Sequence, residues 1–251
     1  VNRIRDYAFY ELVTPTSITI PDTVIYIGEA AFSNCLNLER VKLSRRTTEI
    51  GEGAFSWCPK LTKITIPETV TRIERNVLAD WSSYSQKNIL FKGDFPAKSP
   101  SFDWTGGLKA TYYYIEGKNG WETSGLSDLV PCKGEFWLDD IQCIYFSDQT
   151  ASLFGYTGNP VNIEIPAKIT VDSVDYQITS LGNIFFGCKS LKNVAVSMDM
   201  GEIYGEESGR IFEYQTFMNC NLESIYFKGD SPWNFGGTVT GGFAATWNIY
   251  D

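Results

Sequence analysis

The chain has 251 residues, 43% of them hydrophobic and 15% aromatic, with a formal net charge of −9, enough to bury a core in one large or two modest domains. The acidic balance argues against a nucleic-acid binder, whose affinity rests on Lys and Arg neutralising phosphates. The absence of any His excludes Ser-His-Asp and Cys-His catalysis and the usual His-containing zinc sites.

The first eighty residues repeat. Ile18, Val41 and Ile64 stand 23 residues apart, as do Ile20, Leu43 and Ile66, and Ile27, Ile50 and Ile73. Phe32 and Phe55 keep the step before Leu78 takes their slot; Cys35 and Cys58 keep it before Trp81 does. Ile4 and Phe9 fall on the same phases one unit earlier. Each unit has three parts. L-x-x-I-x-I alternates and predicts a short strand with one buried face, ended by Pro21 or Pro67. V-x-x-I-G predicts a second extended piece, with Gly28 and Gly51 in a tight turn. A-F-x-x-C predicts one helical turn, with Phe and Cys on its inner side. One unit cannot bury its apolar face alone, so stacking into a solenoid is expected. Cys35 and Cys58 then read as small interior residues, because Trp81 in their slot asks for apolar bulk rather than thiol chemistry.

Beyond Leu78 the period loosens. NILFKGDFP leads through a Gly-Gly pair to the aromatic run KATYYYIEGKNGW. SIYFKGDSP and GGFAATWNIYD repeat that pattern downstream, with Ile89 and Ile225 separated by 136 residues. Two blocks are therefore expected, 1–125 and 126–251, joined near Trp121–Pro131. The second opens on a β-hairpin cap over 133–178, with turn signals at Asp139-Asp140, Asp148-Gln149 and Gly158-Asn159-Pro160. Its repeats fill 179–251, where Phe185, Cys188, Leu191 and Val194 keep the earlier spacings. An insertion between Ile203 and Phe217 predicts a loop on one edge.

The run I-G-x-x-A-F-x-x-C-x-x-L-x-x-I-x-I-P, with its F-K-G-D-x-P terminus and Y-Y-x-x-x-G-x-x-G-W strand, resembles the BspA-like leucine-rich repeat family over nearly the whole chain. The resemblance implies a leucine-rich-repeat solenoid: a right-handed β/α superhelix, β-rich, with short helical turns, here as two repeat blocks and a hairpin cap. It also implies a bacterial protein, secreted or on the cell surface, that binds host or bacterial surface proteins and acts in adhesion. No transmembrane segment is visible. No signal peptide is visible at Val1 either, so an export signal or lipid anchor is expected in a segment outside this sequence. The family motif is scaffold and brings no catalytic residue and no cofactor.

Function then falls to outward side chains. Ser17 and Thr19, Arg40 and Lys42, and Lys63 and Thr65 alternate outward on successive strands, with Arg45 and Arg46 just beyond. Arg40, Lys42, Lys63, Arg45 and Arg46 are the candidate protein-binding residues, able to steer an acidic partner; a solvated strand face is the other reading. Trp104, Trp121 and Trp233 are the candidates for a glycan-binding module, the alternative function, beside a structural spacer; core or cap packing of these rings is the other reading. Asp199, Glu202, Glu206 and Glu207 in the insertion read as a charged loop, since their spacing misses a calcium-loop pattern; no metal site is expected. Cys132 and Cys143 flank the proposed hairpin and leave a disulfide crosslink open. No carboxylate pair stands out for glycosidase chemistry, so the expectation is a non-enzymatic protein.

Overall fold

The computed structural model describes residues 1–79, 87–98, 104, 110–182, 184–185, 187–197, 217, 220–228 and 246–250. The chain divides into two compact units, Val1–Cys132 and Lys133–Asp251.

In the first unit each turn of chain contributes one strand to each of two walls. One wall is the parallel sheet β1 (Arg3–Ile4), β3 (Tyr26–Ile27), β5 (Glu49–Ile50), β7 (Arg72–Ile73) and β9 (Ala97–Lys98). Opposite it, β2 (Ser17–Thr19) pairs with β4 (Arg40–Lys42), while β6 (Lys63–Ile66), β8 (Lys87–Phe91), β10 (Ala110–Ile115) and β11 (Leu129–Cys132) form a parallel four-stranded sheet. The 23-residue step is the register: Ile27 pairs with Ile50 and Ile50 with Ile73. Strand alternation turns Ile64, Ile66, Ile89 and Phe91 into the core.

No helix occurs among the described residues, and the helical turn expected at A-F-x-x-C is a run of tight turns instead. The reason is in the backbone. Tyr7, Ala30, Gly53 and Asn76, one per coil, are left-handed, and so are Glu11, Asn34 and Trp57 four residues later. A left-handed residue every fourth position cannot continue a right-handed helix. The amides then alternate. Ala8, Tyr10 and Leu12 bond back three residues within their own turn, whereas Tyr7, Phe9 and Glu11 donate to the carbonyls of Glu29, Ala31 and Ser33 in the next coil. Ala30, Phe32 and Asn34, then Gly53, Phe55 and Trp57, repeat the second pattern at 2.7–3.1 Å. A helix would have kept these bonds local; the alternation ties each coil to its neighbour while leaving few buried amides unpaired.

Gly28 and Gly51 do not serve a left-handed turn, for neither has positive φ. They permit close approach. A Cβ on Gly51 would stand 2.7 Å from the Glu29 amide nitrogen and from the Gly28 carbonyl carbon. One on Gly28 would stand 2.5 Å from the Asp6 nitrogen. Between the walls run stacked rings: Phe9 on Phe32 at 5.0 Å and Phe32 on Phe55 at 5.3 Å, with planes within 10°. Farther along the unit, Phe91, Trp104 and Trp121 form an aromatic cluster, and Trp121 stacks on Tyr114 at 5.2 Å.

The second unit begins with an antiparallel meander of β12 (Gly134–Leu138), β13 (Ile141–Tyr145) and β14 (Thr150–Tyr156). Asp139 is left-handed in the expected turn. β15 (Asn162–Pro166), expected within the cap, instead pairs in parallel with β18 (Asn193–Ser197). The I-E-I-P of Ile163–Pro166 is thus a repeat strand, equivalent to I-T-I-P in the first unit. β16 (Lys168–Val171) and β17 (Val174–Ser180) make a hairpin, and β17 also pairs in parallel with β14. β18 continues to β19 (Ser224–Lys228) and β20 (Thr246–Tyr250). The meander and the repeat strands share one core through Cys143, Leu153, Ile165, Ile178 and Val194. Phe185 stacks on Phe217 at 5.7 Å, which repeats the ring column of the first unit. The unit boundary lies between Cys132 and Lys133 rather than after residue 125, because β11 pairs with β10.

Candidate binding surface

The outward residues of the first-unit strands lie in register: Ser17 faces Arg40 and Thr19 faces Lys42. On β6, Lys63 faces Asn88 and Thr65 faces Leu90. The expected cations therefore share a wall, but they are not equally available. Arg40 is largely buried and lies 3.4 Å from Glu39. Arg45 grips Asp22: its amide donates to Oδ1 at 3.0 Å, and its Nε and NH2 donate to Oδ2 at 3.2 and 2.9 Å. These donors hold the Asp22 carboxyl below the usual carboxylate range. Lys42 and Arg46 are exposed and Lys63 is half-buried.

The Asp22–Arg45 pair was legible from the 23-residue step alone, since in-register side chains of neighbouring coils meet. The same step joins Lys60 Nζ to Asn37 Oδ1 at 2.8 Å, Arg75 to Glu52 at 2.6 Å and the Ser56 hydroxyl to that of Ser33 at 2.9 Å. The surface is a set of rows running along the stack, and each row has its own chemistry.

Two of the three candidates for a glycan-binding module are buried. Trp104 and Trp121 are 3% and 1% exposed, and Trp121 Nε1 donates to the Gly93 carbonyl at 3.1 Å. Both fill the core where the Phe column ends, so neither offers a ring face to a sugar. Trp233, the loop carboxylates Asp199, Glu202, Glu206 and Glu207, and Trp81 lie outside the described residues. Among the described residues the exposed tryptophans are Trp57 and Trp137.

All six cysteines are free. Cys132 and Cys143 do not form the crosslink left open by the sequence: Cys132 donates to the Tyr114 carbonyl at 3.4 Å, whereas Cys143 lies opposite Phe136 across the hairpin. Cys35 and Cys58 are buried as expected, but each also has a polar task. Cys35 Sγ donates to the Phe9 carbonyl at 3.4 Å and Cys58 Sγ to the Phe32 carbonyl at 3.2 Å. Cys220 Sγ does the same for Phe185. The slot therefore combines small apolar bulk with a weak donor aimed at the preceding coil. Lys87, 2% exposed, serves nearby carbonyls: its Nζ donates to Leu61 O at 2.8 Å and Cys58 O at 3.2 Å.

The Cys35 thiol beside it and burial push the Cys58 thiol far up, and burial pushes Cys143 up to about 12. Cys143 thus keeps its proton in the folded chain above pH ~8.5, where the unfolded chain begins to lose it. Its contribution to stability is full below pH ~8.5 and is lost as pH rises toward 12, at up to about 1.4 kcal/mol per pH unit. Urea midpoints are expected to fall between pH 8 and pH 10. Cys143→Ala should fall less over the same interval, which separates the thiol from the Lys and Tyr titrations.

A model of the BspA-type leucine-rich repeat region matches residues 2–94, in six copies. Residues 2–94 carry a BspA-type leucine-rich repeat. Among solved structures it is similar to a leucine-rich repeat protein from Bacteroides capillosus ATCC 29799, at 32% identity and a TM-score of 0.31. That match covers 45% of this chain and 63% of the other, so the chain spans less than two thirds of that relative's length. It is also similar to the T. pallidum leucine-rich repeat protein, at 20% identity over 45% of this chain and 67% of the other, with a TM-score of 0.28. A leucine rich cell surface protein from Faecalibacterium prausnitzii A2-165 matches at 20% identity over 91% of this chain and 77% of the other, with a TM-score of 0.29. No curated protein matches the chain. In this BspA-type repeat the motif residues form the column between the walls, and the outward rows are what differs from coil to coil. Among the described residues no three His, Cys, Asp or Glu side chains gather as a metal-binding group, and no helix is long and apolar enough to cross a membrane.

Proposed function

We propose that this protein is a non-enzymatic, exported or surface-displayed binding module that recognises another protein through the strand wall of its first unit. The observation that carries the reading is the in-register outward row of Ser17, Thr19, Arg40 and Lys42, followed by Lys63 and Thr65 on β6. The motif residues are consumed by the core, so what varies from coil to coil is this outward set. A flat wall of parallel strands gives a partner several adjacent contact points without local rearrangement. The cations on it, in a chain of net charge −9, favour an acidic partner and a salt-sensitive encounter. Continuation of the coils as a right-handed superhelix belongs to the same reading. So do an extracellular location and a role in adhesion.

The test is retention on an immobilised panel of purified plasma and extracellular-matrix proteins. At least one protein should be retained, and the triple change Lys42→Glu, Arg46→Glu, Lys63→Glu should weaken it at least tenfold with an unaltered circular dichroism spectrum. Equal retention by the charge-reversed protein, or retention of nothing, defeats the reading.

A further inference from the structure

Trp57 is the least expected residue on the surface of the first unit. It is left-handed, with φ of 56°, and it is 43% exposed. A bulky side chain is strained in that region, where Asn or Gly is not. The same slot one coil earlier holds Asn34, also left-handed, which adopts the conformation readily. Local backbone preference therefore does not call for Trp, and burial offsets the strain only in part, since the residue stays 43% exposed.

Its surroundings are not random. Two residues along the coil runs a second row, Val13, Leu36 and Pro59, each 23 residues from the next. Val13 is 47% and Leu36 46% exposed. Leu36 has a coil on either side of it, so its exposure is lateral rather than an effect of position at the end of the stack. By the repeat phase, exposed Trp57, Leu36 and Val13, with half-buried Pro59, fall as an apolar ridge on one flank of three coils, where the turns lead into the strand wall. A polar rim borders it: Asn34, whose Nδ2 donates to Glu11 Oε1 at 3.1 Å, and Asn37, which takes the Lys60 ammonium at 2.8 Å. Beyond Lys60 the chain enters the cationic rows of Arg40, Lys42 and Lys63. An exposed Trp beside aliphatic side chains, ringed by polar groups, is the composition of a protein-binding hot spot. A sugar platform would pair its aromatic ring with polar neighbours, not with Leu36 and Val13.

We infer that the Trp57–Leu36–Val13 flank is the anchor point of an acidic polypeptide partner: an apolar side chain of the partner seats on the ridge while its carboxylates meet Lys60, Lys42 and Lys63. This rests on the protein-binding reading above and moves the main contact from the wall to its flank. The partner's apolar group loses water against Trp57, and the cations fix its direction.

Panning the full chain with a phage-displayed library of random linear peptides tests this. Selected peptides should be rich in Asp and Glu and carry a Leu or aromatic residue. Their affinity should fall at least tenfold on Trp57→Asn or Leu36→Ser, and also as salt rises. Both variants should keep the circular dichroism spectrum and a single cooperative urea transition, so that a loss of binding is not a loss of fold. Peptides that survive both changes but are lost on Lys42→Glu with Lys63→Glu would overturn the flank and leave the wall standing. Failure to select any peptide overturns the flank anchor. Glycans retained on an array through Trp57, with no peptide selected, overturn it in favour of a carbohydrate.

Discussion

Phe32→Ala is expected to lower the stability of the first unit by about 3–5 kcal/mol, the range for emptying a buried aromatic site. Phe32 is 2% exposed and stacks on Phe9 at 5.0 Å and on Phe55 at 5.3 Å, so one deletion removes two ring contacts as well as the buried area. The surrounding coils cannot close on the gap. Their separation is set by hydrogen bonds from Ala30, Phe32 and Asn34 to Glu52, Ala54 and Ser56, which hold the stack open at fixed spacing. Urea denaturation followed by Trp fluorescence measures the loss. Because neighbouring coils stabilise one another, the transition should also broaden as the stack splits at the gap. A cost below about 1 kcal/mol would show that the ring column is not the element joining the coils.

Gly51→Val should be comparably severe for a different reason. The new Cβ would meet backbone atoms, the Glu29 nitrogen and the Gly28 carbonyl carbon, at 2.7 Å. Neither can rotate away as a side chain can. The coils must separate, and that breaks the Gly51-to-Ile27 bond of 2.8 Å together with the strand pair Ile27–Ile50. Overpacking typically costs about 1–3 kcal/mol, and a clash with backbone on both sides puts this change at the top of that range. The control is Gly53→Asn. Gly53 is left-handed, and the only contact of its added Cβ under 3.4 Å is the Ser56 hydroxyl at 3.2 Å. Asn76 fills the equivalent slot one coil on, so this change should be nearly neutral. Thermal melts of the two variants separate a need for close approach from a need for a left-handed residue. If Gly51→Val melts like Gly53→Asn, the close-approach argument fails.

The contrast between these two glycines shows how much was readable. A Gly at a fixed phase marks a special backbone position, but sequence does not say which kind. Position 53 needs conformation and position 51 needs space; only neighbouring coils reveal the second. The A-F-x-x-C segment misled for a related reason. Spacing of three puts Phe and Cys on one side of either a helix or a chain of tight turns. The bonds from each turn to the next coil favour the turns, and such bonds join residues 22 positions apart. The tryptophans followed the same logic. Trp104 and Trp121 lie where the period breaks, and from sequence they suit either a sugar platform or core packing; the structure buries both. That break is what creates the space they fill.

The order of stacking was determined by the sequence alone. A strict 23-residue phase of Ile, Phe and Cys admits one register, because a slip by one residue would turn every buried side chain outward. That phase also foretold the axial pairs such as Asp22 with Arg45. The tertiary structure decided what the rows are free to do. Arg40 and Arg45 are committed to carboxylates, whereas Trp57 and Leu36 are left on the flank. Periodicity reports which side chains share a row; whether that row is covered depends on groups brought near it from far along the chain, and no local pattern encodes them.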